Sequence, residues 1–217
     1  MHMTYKLKNI VFLFSLAFIA SCNKNTLSYE HKLLLSENGI DVRSVDVIER
    51  VAKSVRQLKT YNEEYEEVSI KGVVISVAPN RGAILTQKIR NELSSSPDQA
   101  YFYDNNYGYD NDEIAIVTTK NDETYLKLIR TDAPNYDLTA EDVLRKYREW
   151  NAKYGLQMFG AGRDWIEAKV TAKGLDWQIF SEEVAEFCPD VVLQGTNTVE
   201  ALEIEMRESS LLYLWWD

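Results

Sequence analysis

The sequence predicts an α+β fold, with helices packed against a mainly antiparallel sheet in a single globular domain. Three observations carry that reading. Apolar residues make up 45% of the 217 residues, enough for one substantial core. Short β-branched runs such as Val73-Val74-Ile75-Ser76-Val77 are interspersed with segments of helical periodicity such as Val143, Leu144, Tyr147, Trp150 and Tyr154. Several runs are joined by short polar connections, which suit hairpins better than long parallel crossovers.

The chain opens on a segment that reads as export machinery. Lys6 and Lys8 precede an apolar run from Ile10 to Ile19, and then Ile19-Ala20-Ser21-Cys22. A bilayer-spanning helix needs about 20 apolar residues, so the run fits the core of a signal peptide. The four residues ending at Cys22 resemble a bacterial lipobox. That resemblance implies cleavage before Cys22 and lipid attached to it, the stable two-chain kind of anchor. The alternative is an ordinary secretory signal with a chance cysteine. Residues 1–21 are therefore expected to be a lipoprotein signal peptide, 22–40 an anchor and polar tether, and 41–217 the domain. Asn23, in place of Asp, favours the outer membrane by the enterobacterial sorting rule, with the domain facing the periplasm or the surface.

The elements follow in order. Leu33-Leu34-Leu35 predicts a short helix or strand closed by a turn at Asn38-Gly39. From Ser44, read as an N-cap, the residues Val45, Ile48, Val51, Ala52, Val55 and Leu58 recur at helical spacing and predict one helix to about Lys59. Tyr61 to Glu67 reads as an acidic connection, Val73 to Val77 as a strand, and Ala83 to Leu93 as a helix broken at Ser94-Ser95-Ser96-Pro97. Ala100 to Tyr103, Ile114 to Thr118 and Tyr125 to Arg130 read as strands, the last two joined by a hairpin at Lys120 to Glu123. Thr139 and Asp142 have the spacing of a capping box for a helix that Gly155 stops. Leu156 to Phe159 and Trp165 to Val170 are strands around Gly160-Ala161-Gly162, read as a turn needing positive φ. Helices over 177–188 and about 198–208 follow, the first stopped by Pro189, and a last strand runs from Leu211 to Trp216.

Composition excludes several chemistries. The chain carries 24 Lys and Arg against 34 Asp and Glu; without Lys6 and Lys8 the balance is 22 against 34, or −12. Phosphate contacts need clustered bases, so no nucleic-acid partner is expected. Of the two histidines, His2 lies in the signal segment and His31 stands alone, so neither a zinc site nor a His-based triad can be assembled. Cys188 lies at a helix C-terminus between Glu186 and Asp190, where a thiolate is disfavoured, and reads as buried packing. The Asp104 to Glu113 loop is rich in hard oxygen ligands, but Gly108 breaks the calcium-loop spacing, and turn-forming Asx residues explain it. Gly160-Ala161-Gly162-Arg163 lacks the following helix that a phosphate cradle uses.

The carboxylates remain. Asp164, Glu167, Asp190 and Asp217 flank or follow predicted strands, where a pair on one rim serves acid–base chemistry. Strand alternation sends one ring of Trp215-Trp216 to the core and leaves the other to cover a pocket.

Four segments carry a likeness beyond local pattern: Asn135-Tyr136-Asp137; Gly160-Ala161-Gly162-x-Asp164-Trp165-x-Glu167; Phe187-Cys188-Pro189-Asp190-Val191-Val192-x-Gln194-Gly195; and Leu214-Trp215-Trp216-Asp217. Together they resemble the bacterial family called domain of unknown function 4253, over residues 65–217 and most strongly from 135 onward. The resemblance implies no activity, cofactor or substrate. The functional expectation is a non-catalytic binding or interaction module held to the membrane through Cys22. Its partner is another protein or a small polar ligand, and it needs no cofactor. The candidate patch is Asp164, Glu167, Asp190, Gln194, Trp216 and Asp217. The alternatives are a carboxylate-dependent hydrolase and a toxin-immunity-like protein.

Overall fold

A computed structural model describes residues 26–217, so the lipobox and Cys22 lie outside the described residues. One seven-stranded sheet runs through the domain in the order β1-β2-β4-β3-β5-β6-β7. Its strands are β1 (Ser54–Tyr61), β2 (Glu67–Val77), β3 (Gln99–Asp104), β4 (Asp112–Val117), β5 (Leu156–Ala161), β6 (Trp165–Val170) and β7 (Leu211–Trp215). All neighbours pair antiparallel except β3 and β5, which run parallel and meet at a single position, Phe102 against Gly160. The fold is therefore α+β with a mainly antiparallel sheet, as the sequence predicts.

Helices cover the two faces unequally. The first three, α1 (Tyr29–Glu37), α2 (Val42–Glu49) and α3 (Gly82–Glu92), share a core with Val55, Val73, Ile75, Val77, Ala100, Ile114 and Ile116, all from β1 to β4. The other four, α4 (Asp122–Ile129), α5 (Ala140–Tyr154), α6 (Trp177–Phe187) and α7 (Val199–Ser209), bury the opposite face along the full width of the sheet, from Val74 to Leu214. On the first face, β5, β6 and β7 thus have no helix over them among the described residues. That asymmetry positions the site.

The chain between Ser44 and Lys59 departs from the sequence reading. Asp41, not Ser44, caps α2 by accepting the Arg43 N–H, and Ser44 is buried with its hydroxyl 2.9 Å from that of Ser96. The helix ends at Glu49, and Val55 and Leu58 belong to β1. Alternation along β1 turns Val55 to one face and Leu58 to the other, and both faces are covered there, so buried apolar positions stand three apart and imitate helical spacing. The acidic connection is the hairpin turn between β1 and β2. The predicted tether also enters the domain early, since Leu27, Leu35 and Ile40 are buried in the core.

The second correction concerns Tyr125 to Arg130, which is helix α4. Its cap is Asn121, whose side chain accepts the Thr124 N–H at 2.7 Å, and Asp122 and Glu123 favour the positive end of the helix dipole. The supposed hairpin turn is that cap. The capping box of Thr139 and Asp142 forms as read, and Gly155 ends α5 at φ 63°.

The parallel seam between β3 and β5 is held from both faces. From α3, Arg90 donates to the carbonyls of Ala100 at 2.6 Å and Phe159 at 2.9 Å. From α4, the Asp122 carboxylate accepts the Met158 N–H at 2.8 Å and the Tyr101 hydroxyl at 3.0 Å. These charged groups replace the ladder bonds that one rung cannot supply.

Candidate functional site

The uncovered part of the sheet is a concave aromatic surface. In the β6–β7 register Trp165 lies opposite Trp215, and Glu167 opposite Tyr213. Side chains directly opposite share a face, so these four form one floor. Trp165 and Tyr213 have ring centroids 6.3 Å apart, Tyr213 and Trp215 5.2 Å, and Phe102 of β3 lies 5.9 Å from Trp165. The resulting cavity has a volume of about 910 Å³. One wall is the start of the loop after β3, with Asp104, Asn105 and Tyr107; the other is α7 with the segment before it, including Met206, Glu205 and Gly195.

The glycines around this floor are required by space. Gly160, Gly162 and Gly195 lie outside the positive-φ set, which corrects the reading of Gly160-Ala161-Gly162 as a positive-φ turn. A Cβ on Gly160 would stand against the Phe102 carbonyl, one on Gly162 against the Trp165 indole nitrogen, and one on Gly195 2.7 Å from the Trp215 ring. Gly195 sits in a π-helical segment, Val191–Thr196. Missing side chains are what let the indoles lie flat on the backbone here.

Electrostatically the cavity is acidic. Asp104, Asp164, Glu167 and Glu205 line it against a single base, Arg163. Burial raises the Glu167 carboxyl above its ordinary range, and Arg90 only partly opposes this. Glu167 accepts no hydrogen bond from any described residue. Burial and then the neighbouring Glu113 raise Asp104, with Asp164 adding to it. The Tyr213 hydroxyl is pushed up to about 12 by burial, with Tyr107, Glu167 and Asp164 adding to it.

The six residues read from sequence fall into two groups. Asp164 and Glu167 line the cavity. Trp216 and Asp217 edge a smaller hollow of about 390 Å³ that shares Tyr107, Asp164, Trp165, Tyr213 and Trp215 with it. The Trp216 ring itself is only 5% exposed, its indole N–H donates to the Phe187 carbonyl at 3.4 Å, and Trp215 is the ring that lines the cavity. Asp190 and Gln194 stand behind the wall. Asp190 is buried and accepts from the Tyr136 hydroxyl at 2.5 Å, the Gln194 side-chain amide at 3.1 Å and the Asp217 N–H at 2.9 Å. This carboxylate joins three of the four sequence segments and pins the C-terminus.

Sequence reasoning missed Phe102, Asp104 and Tyr107 as cavity residues, because the loop after β3 has no periodicity to show what it leans on. Its Asx side chains serve turns: Asn105 accepts the Tyr107 N–H at 2.9 Å, and Asp110 the Asn111 N–H at 2.6 Å. Among the described residues no three His, Cys, Asp or Glu side chains converge as metal ligands, and no helix is long and apolar enough to cross a membrane. Cys188 is fully buried, its thiol donates to the Trp215 carbonyl at 2.9 Å, and burial pushes it up to about 12. It packs beneath the site and is not a nucleophile at neutral pH.

No curated protein and no solved structure matches the chain. Residues 113–217, from β4 through the terminal Trp-Trp-Asp, match the family described as Domain of unknown function (DUF4253).

Proposed function

We propose that this protein is a binding module that receives its ligand on the uncovered face of β5, β6 and β7. The observation that carries the reading is the aromatic floor of Trp165, Tyr213 and Trp215, which the fold leaves open to a cavity of about 910 Å³. A soluble domain gains by covering such rings, and large open apolar surfaces mark contact sites. Lipid on Cys22 would hold the module at the envelope, with its ligand arriving from the outer membrane's periplasmic or surface side.

The test is a panel of mixed small molecules and short peptides, followed by thermal shift and tryptophan fluorescence on the wild type and on Tyr213→Ala. Binding at the floor raises the wild-type melting temperature and quenches fluorescence, and the variant responds less. A panel that shifts both proteins equally, or neither, refutes the reading. The hydrolase alternative draws on Asp164 and Glu167 sharing the cavity. It requires product release in the same mixtures, with loss in both Asp164→Asn and Glu167→Gln.

A further inference from the structure

We propose that the ligand of this cavity is an organic cation, an ammonium or guanidinium group, either free or at the end of a peptide side chain. The inference rests on the binding reading above and names the ligand class it implies. Three features of the floor select for positive charge. The first is its aromatic content. Trp165, Tyr213 and Trp215 are tilted by 41° and 38° in successive pairs rather than stacked on one another, so their π-faces are not consumed by mutual contact. A π-face carries negative charge density and attracts cations, tryptophan most strongly.

The second feature is where the carboxylates sit. Glu167 emerges from the aromatic floor itself, opposite Tyr213 and two residues along the same strand from Trp165. Asp104 and Asp164 add charge at the rim. A neutral apolar ligand filling the cavity would strip water from Glu167 and return no partner, which is costly for a carboxylate. An anion would meet both the carboxylates and the faces of the rings. A cation satisfies both.

The third feature is the imbalance of charge among the described residues that line the cavity. Arg163 is the one base lining it, and its guanidinium stands 4.3 Å from the ring centroid of Tyr61, a β1 residue that does not line the cavity. Arg90, which Glu167 feels electrostatically, keeps its charge but gives its hydrogen bonds to the carbonyls of Ala100 and Phe159 and forms no ion pair with Glu167. Four lining carboxylates against one lining base leave net negative charge for a ligand to neutralise.

The experiment uses the full chain and titrates tryptophan fluorescence with choline and with its neutral isostere 3,3-dimethylbutan-1-ol. A second arm uses a short lysine- or arginine-containing peptide and its norleucine counterpart. The expected result is that the cation of at least one pair binds about tenfold or more tightly than its neutral partner. Glu167→Gln removes most of that preference, weakening the cation and tightening the neutral compound that no longer desolvates a carboxylate, while its unchanged circular dichroism shows that the fold is kept. The arm that responds identifies whether the cation is free or peptide-borne. Equal binding of cation and isostere, or a preference that survives Glu167→Gln, overturns the cation assignment while leaving the binding reading in place. If neither cation binds, the assignment also fails, and the mixed panel with Tyr213→Ala then decides separately whether the cavity binds anything.

Discussion

Asp190→Asn separates an anchoring role from a ligand-binding one. The carboxylate is 3% exposed and accepts from the Tyr136 hydroxyl, the Gln194 amide and the Asp217 N–H. Oδ1 takes the first two, so the asparagine oxygen keeps that side, and its NH₂ must face the Asp217 N–H, donor against donor. The loss is one charge-assisted hydrogen bond, worth about 1.5–3 kcal/mol, together with a part-buried donor left facing another donor, about 1 kcal/mol more. Partial relaxation of the C-terminus brings this to roughly 3 kcal/mol, or a drop of about 6–12 °C in melting temperature for a domain of this size.

The sign of the pH dependence follows from the same contacts. Burial pushes the Asp190 carboxyl up, but the hydrogen bonds from Tyr136, Asp217 and Gln194 outweigh it and hold the group below its ordinary value. A depressed folded pKa stabilises the protein above the unfolded value, about 3.9 for Asp, and that stability is lost as pH falls through the folded value. The gap between wild type and variant should therefore be full from neutral pH to about 5, and close in stronger acid. Melting curves followed by circular dichroism at several pH values measure it, with Tyr136→Phe completing a double-mutant cycle. A variant melting within about 1 °C of the wild type at pH 7 would refute the anchoring argument. So would a gap that persists unchanged after the carboxyl is protonated. A variant that keeps its stability but loses ligand would return Asp190 to the binding patch.

Other expectations are simpler to check. Cys22→Ser should abolish acylation, and a variant that still labels with fatty acid removes the lipoprotein assignment. In that variant Cys188 should resist thiol reagents at pH 8 until the protein is unfolded, because burial raises its thiol to about 12; fast labelling of the native protein would contradict the packing described. Gly160→Ala should cost about 1–3 kcal/mol in denaturant melts by forcing a methyl group against the Phe102 backbone across the single β3–β5 rung. A neutral outcome would mean that the seam has slack. Deleting Leu211 to Asp217 should unfold the domain, since it removes the buried Leu212, Leu214 and Trp216; an unchanged melting curve would make β7 peripheral.

Local chemistry was legible wherever one interaction decided the outcome. The capping box at Thr139, the stop at Gly155, the burial of Cys188 and the end of α6 before Pro189 all follow from neighbours in the chain. What misled was periodicity cut by geometry. Cover on both faces of β1 spaced the buried Val55 and Leu58 like a helix, and α4 is short enough that Tyr125, Leu126 and Ile129 read as well for a strand as for a helix. For the terminal tryptophans, alternation predicted that one ring goes in and one out, but not which. The choice is made by register, since Trp215 lies opposite Trp165 and leaves Trp216 to the core. Asp164 and Glu167 were legible as a pair because they flank and enter one strand. Asp190 and Gln194 were grouped with them as polar members of the family-like segments, and the π-helical segment turns them behind the wall.

The placement of the cavity follows from an imbalance in helix supply. Four helices cover one face of seven strands, while three short ones reach only the β1-β2-β4-β3 half of the other. Between β3 and α4 the chain holds only the loop from Asn105 to Asn111 and a direct return through β4. The same loop supplies Asn105 and Tyr107 as a wall. The family segment begins only at residue 113, so the floor of Trp165, Glu167, Tyr213 and Trp215 lies within it while Phe102, Asp104 and Tyr107 come before it. An aromatic floor inside that segment beside a wall drawn from outside it is an arrangement in which the class of ligand and its selection can be set by different parts of the chain. Exchanging residues 104–111 for a neutral linker should therefore change which cations bind without removing the preference for a cation, which resides in Glu167 and the rings around it.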